Sequence, residues 1–87
     1  MSEWFYKERD EIVAHLRSGK TIEFHEPNRP HIKLRWRIVT RLVRRDPDEV
    51  HEVTYRGDEV LLEETRRLNP HELRNRLQVG WTWRVVE

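Results

Sequence analysis

The sequence predicts an α+β domain: an N-terminal helix packed on a curled, small-barrel-like antiparallel sheet of 4–5 strands, with a short helix before the last strand. Three observations lead there. The first eighteen residues place apolar side chains at helical spacing, and the middle of the chain alternates apolar with polar residues between turn-forming clusters. Near the end, a short segment with helix-capping residues precedes an aromatic strand. Eighty-seven residues hold a single domain with one compact core.

The helix is expected over 2–18. Ser2 can cap its start, and Phe5, Ile12 and Leu16 recur at helical spacing with Trp4 and Val13 beside them. Glu3–Lys7 and Lys7–Glu11 are i,i+4 pairs for its wet side. Gly19 suits the residue just past the end, because it adopts the left-handed conformation cheaply. Residues 21–26 (TIEFHE) alternate, with Ile22 and Phe24 on one face, and the two prolines of PNRP (27–30) mark a connection.

The longest strand is expected over 31–45. Apolar pairs at i+4 would also fit a helix, but strict alternation describes the segment better. Its even positions are Ile32, Leu34, Trp36, Ile38, Thr40 and Leu42, while Lys33, Arg35, Arg37, Arg41 and Arg45 fall at odd positions with Val39 and Val43. Turn chemistry at Asp46-Pro47-Asp48-Glu49 returns the chain into a strand over 50–56. Arg56-Gly57-Asp58-Glu59, read as a hairpin turn rather than an adhesion tripeptide, leads to a strand over 60–65.

The second helix is expected over 70–79, with Asn69 as N-cap, Pro70 at the first helical position and Glu72 completing a capping box. Leu68 and Leu73 match a hydrophobic staple, and Gly80 ends the helix. Residues 81–86 close the fold as a strand, with Trp81, Trp83 and Val85 on one face, the tryptophans packing against the first helix. Such a meander packs its apolar face under the first helix or curls into a small barrel.

Composition limits the function. There is no cysteine, so disulfides and thiolate metal sites are excluded. No apolar run approaches a membrane span, the N-terminus does not read as a signal peptide, and cytoplasmic location is expected. The five histidines form no HxH or HxxxH pair, and no phosphate loop, nucleophile constellation or carboxylate cluster stands out. A non-enzymatic protein without a cofactor is the expectation. His25, His51 and the arginines could be assembled into a nuclease-like site only by an arrangement the spacing does not specify.

Charge is the most informative feature. The net charge is +1, yet residues 31–45 carry +6 and the remainder −5. Lys33, Arg35, Arg37 and Arg41 on a strand face would stand about 6–7 Å apart along it, close to phosphate spacing, with Arg44 and Arg45 at the rim. Arginine suits phosphate contacts and base stacking. These six residues are the candidate site for nucleic acid, DNA or RNA. The alternative is a solvated sheet face neutralised by Glu52, Glu59 and Glu63 across the strands. A second class of function is a protein–protein module that meets an acidic surface, such as a phage- or mobile-element-encoded inhibitor or adaptor. The sequence does not set the oligomeric state.

Residues 53–87 resemble the second half of a WYL-type domain, an SH3/Sm-like small barrel of bacterial regulators. The points of similarity are Tyr55 closing a strand, Arg67 and Pro70 before the short helix, and the aromatic strand after Gly80. Trp81-Thr82-Trp83 stands in place of the family's signature tripeptide. The resemblance implies a curved, barrel-like sheet and a link to nucleic-acid-associated regulation.

Overall fold

The computed structural model describes residues 2–27 and 37–86. Along these the chain forms α1 (Ser2–Arg17), β1 (Thr21–His25), β2 (Ile38–Asp46), β3 (Glu49–Arg56), β4 (Glu59–Arg67), α2 (Pro70–Gln78) and β5 (Thr82–Val86). The fold is α+β. All strand pairs are antiparallel, in the order β4-β3-β2-β1-β5, so among the described residues β4 and β5 are the edges of the sheet. The meander of β1 to β4 follows chain order. β5 returns to the far side of β1, a placement that alternation within a strand does not encode.

Register sorts the side chains into two faces. Ile22 of β1 stands opposite Leu42 and Val85, and Phe24 opposite Thr40 and Trp83. This face lies under both helices. Ile22, Phe24, Leu42 and Val50 are buried there with Ile12, Val13 and Leu16 of α1 and Leu73 and Leu77 of α2. The even positions of β2 thus serve the core, as alternation requires. Trp83 packs against α1, its Nε1–H donating to Glu8 at 3.3 Å and its ring 6.0 Å from that of His15.

Both helices end alike. In α1 the Gly19 and Lys20 amides donate to Leu16 and His15, and in α2 those of Gly80 and Trp81 donate to Leu77 and Arg76. The glycines hold φ of 86° and 98°, which an L side chain resists. At the start of α2, Asn69 Oδ1 accepts the His71 amide at 3.0 Å, the predicted cap.

Several expectations change. Residues 31–36, the first part of the strand expected over 31–45, lie outside the described residues, and the described strand begins at Ile38. β4 is longer than 60–65, because the ladder continues until the Leu68 amide donates to the Asp48 carbonyl at 2.7 Å. Glu72 does not complete the capping box; its carboxylate pairs with Arg66 on β4. Trp4, grouped with the apolar face of α1, is 64% exposed, one residue too early in the first turn to reach the sheet.

With so small a core, single truncations are severe. Leu42→Ala is expected to cost about 2–5 kcal/mol, which chemical denaturation monitored by circular dichroism would show as a lower midpoint with an unchanged slope.

Candidate anion-binding face

The opposite face of the sheet carries no helix among the described residues. Even so, one residue on it is buried: Glu23, at the middle of β1, is 2% exposed. Strand register explains how. Glu23 stands directly opposite Arg41 of β2 on one side and Arg84 of β5 on the other. Arg41 Nε donates to Glu23 Oε2 at 2.8 Å, and Arg84 Nε donates to Oε1 at 3.0 Å. His25, two residues along the same strand and therefore on the same face, lies with Nε2 2.7 Å from Oε1. The carboxylate can only accept, so this nitrogen carries the proton.

Burial alone would push the Glu23 carboxyl up. The hydrogen bonds from Arg41, His25 and Arg84 outweigh it and hold the group at about 2. The Glu23 hydrogen bond in turn raises Arg41 above its ordinary value. The site is thus ill suited to acid–base catalysis near neutrality: the carboxylate is fully ionised and its oxygens are occupied. What it does well is position cations. Each guanidinium has five N–H donors and engages Glu23 through Nε, leaving its terminal groups for another acceptor. The Arg41 and Arg84 side chains remain 48% and 65% exposed. Tyr55 lies beside Arg41, its ring centroid 5.3 Å from the guanidinium carbon. A cleft of about 300 Å³ opens here between Glu23, Val39, Arg41, Tyr55, Gly57 and Asp58.

Of the six basic residues singled out from the sequence, the four that are described do not share one row along β2. Lys33 and Arg35 lie outside the described residues. Arg37 stands just before β2, half-buried, and Arg41 is the one committed to Glu23. Arg44 points to the helical side, where its Nη1 donates to the Arg17 carbonyl at the end of α1, at 3.2 Å. A register shift between Arg44 and Asp46 then sets Arg45 at an exposed bulge. Alternation itself sends Arg44 to the face of Leu42, and the bulge, which alternation cannot foresee, accounts for the setting of Arg45.

The acidic partners proposed from the sequence act elsewhere. Glu52 lies on the helical face, 4% exposed, where Arg76 of α2 reaches it at 2.6 Å and Arg66 of β4 at 3.2 Å. Burial pushes its carboxyl up, but the two arginines prevail and lower it. Glu59 pairs with Arg56 across the hairpin turn, and Glu63 accepts from His51. Sequence reading missed both Glu23 and Arg84. Their one signal was a carboxylate at the odd position between Ile22 and Phe24, and only the unforeseen β1–β5 pairing turns it into a cluster. Comparison with protein-family models, with curated proteins and with solved structures finds no significant match.

A carboxyl held below its unfolded value stabilises the fold fully above about 4.5, and that contribution is lost as pH falls toward about 2. It amounts to at most about 3 kcal/mol, reduced by solvent screening of the half-exposed arginines. Glu23→Gln is expected to lower stability at pH 7 by about 1–3 kcal/mol. It should also flatten the fall in stability between pH 5 and 2, measured by urea titration across that range.

Proposed function

We propose that this protein is a small non-enzymatic module that binds nucleic acid, and that Arg41, Arg84 and His25 on the helix-free face contact its phosphates. The observation that carries this reading is the buried Glu23, which fixes two exposed guanidiniums and an imidazole N–H on three adjacent strands. Arg41 and Arg84 flank β1 with their backbones two strand spacings apart, about 10 Å, but both side chains reach in to the same carboxylate. Their guanidiniums therefore lie closer together than that, near the spacing of neighbouring phosphates of one strand. Tyr55, next to Arg41, offers an aromatic surface on which a base can stack. The candidate row thereby runs across the strands rather than along β2. Arg37, just before β2, and Arg45, at its bulge, remain candidates of the same kind, with Lys33 and Arg35.

The charge is modest, since Glu23 cancels one of the two arginines. Two or three phosphate contacts imply that affinity falls roughly 10–40-fold between 50 and 200 mM salt. Fluorescence anisotropy with labelled single- and double-stranded DNA and RNA measures this. Arg41→Gln and Arg84→Gln should each weaken binding and flatten its salt dependence, because each removes a contact that Glu23 positions. Absence of binding at 50 mM salt, or affinities of the folded variants equal to that of wild type, would refute the reading.

A further inference from the structure

The edge strand β4 pairs with β3 on one side and, among the described residues, with nothing on the other. It is nine residues long, and eight of the nine are exposed. At its start Val60, Leu61 and Leu62 are 51%, 40% and 50% exposed. A long edge with apolar residues on it is a template for another strand unless charges or bulges defend it. Here Leu61 is the extra residue of a bulge, since Tyr55 stands opposite Val60 and Thr54 opposite Leu62. Beyond the bulge the strand runs regularly from Leu62 to Arg67.

The charges on that regular part are ordered as Glu63-Glu64-Thr65-Arg66-Arg67. This pattern is complementary to its own reverse. In an antiparallel pair of two identical strands related by a two-fold axis, one residue faces its own copy. With Thr65 on the axis, Glu63 meets Arg67 of the second copy, Glu64 meets Arg66, and Leu62 meets Leu68. All four charged positions find an opposite charge, and the half-exposed Leu62 gains an apolar neighbour. Neighbouring registers lose this: an axis at Glu63 or Glu64 sets carboxylates against each other, and one at Arg66 opposes two guanidiniums. The other edge, β5, carries Arg84 as its one charged residue and has no such pattern.

We propose that two copies of this chain associate through their β4 edges in the register centred on Thr65, joining two five-stranded sheets into one of ten. Backbone hydrogen bonds supply the adhesion, and the two Glu63–Arg67 pairs between copies set the register, while Glu64 meets an Arg66 that Glu52 and Glu72 of its own chain already hold. The interface lies at the far edge from β5 and does not depend on what the helix-free face binds.

A charge-swap pair tests this. Glu63→Arg opposes Arg67 of the other copy with a like charge, and so does Arg67→Glu with Glu63. Each variant alone is expected to run as the 10.8 kDa monomer in light scattering, whereas wild type doubles this mass. An equimolar mixture of the two variants restores both pairs and is expected to form the dimer again, which shows that each had folded. Separately, Thr65→Cys places thiols on the axis, where antiparallel Cα atoms lie about 4.5–5.5 Å apart, within disulfide reach. The chain has no other cysteine. Oxidised glutathione should therefore give a covalent dimer from Thr65→Cys and none from an equivalent Thr82→Cys on β5. Wild type that stays monomeric up to about 1 mM would overturn the proposal. So would a dimer insensitive to both charge reversals, or a Thr65→Cys chain that does not cross-link.

Discussion

Everything in this fold converges on β1. Its three central residues, Ile22, Glu23 and Phe24, are all buried, although successive side chains point to opposite faces of the sheet. Ile22 and Phe24 meet the helices, so their burial is the ordinary consequence of a two-layer fold. Glu23 faces the side where no described helix lies, and arginines from the strands on either side cover it. A strand that is the fourth of five in the sheet is thereby fixed on both faces and along both edges.

The protein uses the same device twice, once on each face. Glu52 on the helical face is clasped by Arg76 and Arg66, as Glu23 is clasped by Arg41 and Arg84. The consequences differ because the surroundings differ. Arg76 also lies over the Phe24 ring, with its guanidinium carbon 5.2 Å from the centroid, and its Nη1 is buried without a hydrogen bond. Arg66 reaches on to Glu72 at the first turn of α2. Around Glu52 the arginines therefore fasten α2 to β3 and β4. Around Glu23 they face solvent, and the same chemistry presents donors instead of closing a seam. A chain of 87 residues with 36% hydrophobic composition gains in this way some of the order that its small apolar core does not supply.

How much of this was legible in the sequence depends on the distance over which the information acts. The helices were readable because their signals are local: Asn69 and Pro70 at one start, Gly19 and Gly80 at the ends. Hairpins were readable for the same reason, and Gly57 holds φ of 61° in the turn between β3 and β4. Glu72 was misassigned because two partners lay within reach of one carboxylate. The capping position is close in sequence, but Arg66 is brought alongside by the sheet, and a charge-assisted pair outcompetes a neutral amide. The setting of the arginines is only partly legible for a related reason. Alternation sends Arg41 outward and Arg44 to the face of Leu42, yet it carries no record of the bulge at Arg45, nor of the strand that lies next to β1.

By itself the sequence determined the fold class, the order of the elements, and which face of β2 and of β1 is apolar, since each rests on periodicity and capping within a dozen residues. It also determined that positive charge is concentrated around residues 33–45. Tertiary structure alone decided that Arg41 of that segment shares a buried carboxylate with Arg84. That outcome required β5 to cross back beside β1, bringing Arg84 to Glu23 from 61 residues away. Pairings of that range are chosen by the packing of whole strands under two helices, so no local stretch of the chain encodes them.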